Sequence, residues 1–101
     1  MTLDDAMDLC GDLSGMVRAW ALDPVRELQR LKQIEDCFLL DLPADHPLVQ
    51  RATAAVAAVR DLLTAAIENH QDLQQKKTAN LAIEQLRLAL PYSYGGEDLA
   101  A

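Results

Sequence analysis

The chain has 101 residues, of which 50% are hydrophobic but only 4% aromatic, and it carries a formal net charge of −7. This length fits one domain with a modest core of Leu, Val, Ala and Met, a composition that suits helices better than sheets. The acidic balance argues against nucleic acid and anionic membrane as partners. No apolar run approaches the roughly 18–20 residues that would insert across a bilayer.

The beginning of the sequence is acidic, with Asp4, Asp5 and Asp8 close to the N-terminus. A secretory signal peptide begins with basic residues followed by an apolar stretch, so this pattern is the opposite of one. We therefore expect a cytoplasmic protein, in which Cys10 and Cys37 are free thiols.

An apolar seam predicts the first helix over about 3–21. Its members are three or four positions apart, which is the spacing of one helix face: Leu3, Ala6, Cys10, Leu13, Val17 and Trp20. Gly11 and Gly15 each weaken a helix by about 1 kcal/mol relative to Ala. We expect these two glycines to let a neighbouring helix approach closely.

The second helix is predicted over about 24–41, because Asp23-Pro24 joins a good N-cap to a residue that fits the first helical position. No Gly separates the first two helices, so we expect a tight turn and an antiparallel hairpin. Cys10 and Cys37 each lie thirteen residues from Asp23-Pro24, which places them at the same level of such a hairpin. The simpler interpretation is that both cysteines are small buried apolar residues, and the alternative is that they form a redox switch.

A connection with two prolines, 42–47, precedes the third helix, which Asp45 or His46 is expected to cap. No further Gly or Pro follows until Pro91, so one helix is predicted over about 47–90, roughly 65 Å long. The predicted fold is all-α, an antiparallel three-helix bundle in which a helical hairpin packs on a long third helix. It forms one domain, 1–94, followed by a disordered tail, 95–101.

The second half of the predicted long helix is apolar on two opposite sides. Leu81 and Leu88 continue the face that begins at Val49, whereas a second stripe contains Ala79, Ile83, Leu86 and Leu90. Such a helix needs two neighbours. Either it breaks near 78–80 and folds back, or it binds a partner helix, and we favour a partner or self-association. The predicted partner-binding residues are Leu73, Leu81, Ile83, Leu86, Leu88 and Leu90.

The sequence contains no pattern that predicts catalysis, a cofactor or a metal site. No Glu is followed by His three positions later, as a di-iron helical bundle requires. His46 is expected to cap a helix, while His70 is either half-exposed at the rim of the bundle or a pH-sensitive contact. Asp4, Asp8 and Asp12 form either a solvated helix face or a docking face for a basic partner. We therefore expect a protein that is not an enzyme.

The order of these features resembles the FliT-type flagellar export chaperones, which belong to the small acidic type III secretion chaperones. The residues that carry the resemblance are Trp20, Leu22, Leu28 and Leu31, the 42–47 connection, Asn69, and Tyr94-Gly95-Gly96. The resemblance implies a cytoplasmic chaperone that binds the C-terminal helical segment of an exported filament-cap protein. The sequence ends soon after Tyr94, so we expect no separate regulatory C-terminal helix of the kind found in some relatives.

Two other functions stay open from the residues alone. One is an obligate homodimer, in which the end of the third helix pairs with its own copy. The other is a small acidic regulator that binds a basic protein.

Overall fold

A computed structural model of the chain describes residues 3–20, 22–43, 45–68 and 73–91. These residues form four helices: α1 (Leu3–Arg18), α2 (Pro24–Asp41), α3 (Pro47–Ile67) and α4 (Leu73–Leu90). They contain no strand, so the all-α class is confirmed within the described part of the chain. The predicted three-helix bundle is not observed, because the long third helix is divided into α3 and α4. The predicted tail, 95–101, lies outside the described residues.

The starts of α2 and α3 follow from their caps. The Asp23 side chain accepts a hydrogen bond from the Arg26 backbone N–H at 3.3 Å, and Pro24 occupies the first turn. His46 caps α3, since its Nδ1 accepts from the Leu48 backbone N–H at 3.0 Å. Each cap satisfies one N–H that has no partner within the helix. α2 has the bounds expected from the sequence.

The first helix ends three residues earlier than expected, at Arg18. The chain then turns through Leu22, whose backbone N–H donates to the Ala19 carbonyl oxygen at 3.0 Å. The connection before Pro24 is therefore several residues long, and α1 and α2 have few direct contacts. α1 packs mainly on α4, and α2 packs mainly on α3. The predicted tight hairpin of the first two helices is thus not the main pairing in the fold.

The core is formed by one apolar face from each helix. α3 and α4 have the most extensive contact, and α3 also contacts α1 and α2. Two ion pairs link helices at the surface. Arg30 of α2 pairs with Asp12 of α1 at 3.9 Å, and Arg60 of α3 pairs with Glu35 of α2 at 3.5 Å. Exposed pairs of this kind contribute up to about 1 kcal/mol each. The largest fully buried side chains are Phe38, Leu13, Met16, Leu31, Leu48, Leu62, Leu63, Leu86, Leu90, Val17, Val56 and Val59.

The break between α3 and α4 lies ten residues before the one considered from the sequence. α3 ends at Ile67, and the Glu68 backbone N–H bonds to the carbonyl oxygens of Thr64 and Ala66. Residues 78–80, where the alternative prediction placed a break, are helical, and Ala79 is fully buried within α4. Folding back buries Ile83, Leu86 and Leu90, worth roughly 1.5–3 kcal/mol each. Interrupting a helix costs a few backbone hydrogen bonds of about 1 kcal/mol each. The free energy gained by burying these three side chains is therefore larger than the free energy lost by ending the helix.

Candidate docking surface

The side of α4 that faces away from the core carries large exposed apolar residues. Leu73, Leu81 and Leu88 are 72%, 60% and 61% exposed. A helix turns about 100° per residue, so Leu81 and Leu88 lie about 20° apart around its axis. Both are about 140–180° from Ile83 and Leu90, which face the core. Leu73 lies on the same side, so α4 presents an apolar stripe that no described residue covers.

Lys77 and Glu84 complete this stripe. Both lie within the same sector, about 80° wide, as the three leucines. We call these five residues the outer face of α4: Leu73, Lys77, Leu81, Glu84 and Leu88. Glu84 accepts a hydrogen bond from Arg87 Nε at 3.1 Å, and the two side chains form an ion pair one turn apart. The outer face therefore alternates leucines with one base and one acid.

The structure divides the six predicted partner-binding residues into two groups. Leu73, Leu81 and Leu88 lie on the outer face, whereas Ile83, Leu86 and Leu90 are 3%, 0% and 0% exposed in the core. The second apolar stripe thus meets helices of the same chain and not a partner. The prediction that Leu81 and Leu88 continue the core face is wrong, since both side chains are mostly exposed.

Further exposed apolar side chains lie on and near α2. Leu22 and Leu40 are 84% and 89% exposed, and Val25 and Leu39 are about half-exposed. Leu40 was not singled out from the sequence. The signal was present in the run Phe38-Leu39-Leu40. Neighbouring helical residues point about 100° apart, so a narrow core face that contains Phe38 cannot contain all three.

The two thiols are in different environments and are both free. Cys10 is 1% exposed in the core, where burial raises the pKa of its thiol to about 11, partly offset by the nearby Arg87 guanidinium. Cys37 is exposed on α2. They form no disulfide, and Cys37 is not the buried small residue that the sequence led us to expect. The redox switch considered from the sequence therefore has no structural support.

The remaining residues considered from the sequence give no second site. Asp4, Asp8 and Asp12 are exposed on α1, and Asp12 pairs with Arg30 of α2. His46 is engaged in capping α3, and His70 lies outside the described residues. Over 3–20, 22–43, 45–68 and 73–91, no three His, Cys, Asp or Glu side chains cluster as metal ligands would. No helix in that part of the chain combines the length and the apolar character needed to cross a membrane.

Comparison with protein families, with curated proteins and with solved structures gives no match to this chain. The fold and the surface therefore define this protein only by its structural class. The described residues form an all-helical protein whose α4 has one face in the core and one exposed face of three leucines. A face of this kind is suited to binding another helix.

Proposed function

We propose that the protein is a cytoplasmic, non-enzymatic chaperone or adaptor that binds an amphipathic helical segment of a client protein. The observation that supports this proposal is the outer face of α4, where Leu81 and Leu88 stand two helical turns apart and mostly exposed. Where one helix packs along another, the contacting residues recur at intervals of seven positions. The resemblance to flagellar export chaperones suggests the C-terminal helical segment of a filament-cap protein as the client.

The energetics of such a surface fit a reversible interaction. Each of Leu73, Leu81 and Leu88 would gain roughly 1–2 kcal/mol on burial, since most of each side chain is still in water. Association also costs several kcal/mol of lost translational and rotational freedom. Three leucines with a few polar contacts therefore support transient capture, which a chaperone that later releases its client requires.

The test uses a labelled peptide of the C-terminal helical segment of a filament-cap protein and measures fluorescence anisotropy. Leu81→Asp combined with Leu88→Asp should weaken binding at least about tenfold, because two charges would have to be desolvated in the contact. Leu86 is not a suitable position for this test, since it is fully buried and its replacement by Asp would damage the fold.

Leu40→Asp is the matched control. Leu40 is the most exposed of the large apolar residues and lies on α2, so its replacement should leave peptide affinity unchanged. Circular dichroism verifies that all variants keep their helix content. If the double variant on α4 binds the peptide as tightly as the unmodified protein, the proposal is wrong.

A further inference from the structure

The outer face of α4 is complementary to itself. Read along the helix, its five residues run leucine, base, leucine, acid, leucine. Leu73 lies as far before the midpoint between Asn80 and Leu81 as Leu88 lies after it. Lys77 and Glu84 are related in the same way. A second helix laid antiparallel against this face therefore meets leucine with leucine and base with acid.

We propose that two copies of the chain pair through the outer face of α4, antiparallel, about a two-fold axis between Asn80 and Leu81. Lys77 of each copy then faces Glu84 of the other, so one interface contains two equivalent ion pairs. Leu73 of each copy faces Leu88 of the other, and the two Leu81 side chains meet beside the axis. A two-fold interface uses the same patch on both subunits, which is what a self-complementary face provides.

The described geometry leaves Glu84 able to take part. Its carboxylate already bonds to Arg87 of the same helix, with about half of the side chain exposed on each partner. A carboxylate has about four lone-pair sites, so it can accept from Lys77 of the other copy while it keeps Arg87. Lys77 itself is exposed. Pairing therefore requires no rearrangement of the helix.

This interface is small and should be weak. Stable complexes bury about 1,200–2,000 Å², and a single pair of short helices with three leucines each buries less, so the dimer forms reversibly with concentration. It occupies the surface assigned above to the client. Self-pairing therefore closes that surface until a client helix displaces the second copy. The displacement step rests on the proposed function, whereas the pairing of the two copies does not.

Sedimentation equilibrium over about 10 μM to 1 mM, the range suited to weak interfaces, tests the pairing with two charge reversals. Lys77→Glu places acid against acid twice, and Glu84→Lys places base against base twice. Each variant alone should dimerise at least about tenfold more weakly than the unmodified protein. An equimolar mixture of the two variants should recover the dimer, because both opposed positions then carry opposite charges.

The mixture also serves as the control for folding. Glu84→Lys removes the ion pair with Arg87, but a mixture made from the same two proteins can recover only if both are folded. An unmodified protein that stays monomeric throughout this range overturns the inference. So does a dimer that tolerates both reversals, or a mixture that stays monomeric.

Peptide anisotropy, measured separately, distinguishes the two proposals. A monomer that binds the filament-cap peptide overturns the self-pairing alone. A charge-dependent dimer that binds no such peptide overturns the proposed function alone and leaves the self-pairing in place.

Discussion

The His46 side chain caps the start of α3. Its Nδ1 accepts from the Leu48 backbone N–H at 3.0 Å, directly before Pro47 in the first turn. We expect His46→Ala to lower the free energy of unfolding by about 1 kcal/mol, the usual effect of losing an N-cap. His46→Asn is the matched control, because its side-chain oxygen can accept the same bond. Urea denaturation measures both, and an Ala variant as stable as the unmodified protein would show that the bond contributes nothing.

Cys10 makes stability depend on pH in the alkaline range. Burial raises the pKa of its thiol from 9.0 to about 11. Between these values the unfolded chain loses this proton while the folded chain keeps it, so the folded state binds more protons and stability falls as pH rises. The stabilisation is fully present below pH 9 and is lost as pH rises through about 11. The expected loss is about 2–3 kcal/mol.

Two alanine variants isolate this effect from the titration of other groups. Cys10→Ala removes the buried thiol, so its free energy of unfolding should fall less between pH 9 and 11 than that of the unmodified protein. Cys37→Ala removes an exposed thiol and should keep the full dependence. Guanidinium denaturation at a series of pH values gives the three curves. Parallel curves for Cys10→Ala and the unmodified protein would contradict the assignment.

At the scale of a helix, α1 contains two glycines that lower its stability and that the packing does not require. The prediction that Gly11 and Gly15 let a neighbouring helix approach closely is wrong. A Cβ built at either position meets nothing within 4 Å. Glycine inside a helix therefore costs entropy here with no compensating contact.

We expect Gly11→Ala to stabilise the protein by about 0.5–1 kcal/mol, because alanine restricts the unfolded chain and suits the helix. In a protein of this size that corresponds to a rise of about 4 °C in Tm. Thermal unfolding followed by circular dichroism gives the value, and Gly15→Ala provides an independent repeat in the same helix. A lower Tm for Gly11→Ala would mean that a neighbour does lie against this position.

The break between α3 and α4 shows the limit of local signals for placing helix ends. Proline and capping residues mark the starts of α2 and α3, and these were predictable from Asp23-Pro24 and His46-Pro47. No Gly or Pro lies between Pro47 and Pro91, so nothing in the local sequence requires a break. The break follows from burying α4 against α1 and α3, which is a tertiary effect. Propensity alone favours the continuous helix that the structure does not contain.

For the whole molecule, periodicity revealed two apolar stripes on α4 but not which one faces inward. Leu81 with Leu88 and Ile83 with Leu90 have the same spacing, so either pair is compatible with a core face. The inward face is the one that meets α3 and α1, and α1 packs mainly on α4 and not on α2. That pairing joins the first and last helices of the described chain, and no pattern within a single helix encodes it. Of the six predicted partner-binding residues, three are therefore exposed on α4 and the other three belong to the core.

The position of α4 in the fold has a consequence for cooperativity. Leu86 is fully buried in the common core, whereas Leu88, two residues later, is 61% exposed on the outer face. If α4 belongs to one cooperative unit, Leu86→Ala should lower the free energy of unfolding by about 2–5 kcal/mol, a large part of the roughly 5–15 kcal/mol typical of a domain. Leu88→Ala, the same chemical change on the same helix, should alter it by less than about 0.5 kcal/mol.

Urea unfolding measured by helix content and by the fluorescence of Trp20 tests this difference. Trp20 packs against the core beyond the end of α1, so it reports on a region distant in sequence from α4. In a cooperative fold both signals shift together in Leu86→Ala and neither shifts in Leu88→Ala, because loss of one buried leucine destabilises all four helices at once. In Leu86→Ala, the helix content could instead fall at lower urea while the Trp20 fluorescence transition stays in place. That result would show that α4 unfolds by itself. The outer face would then belong to a separately folding helix.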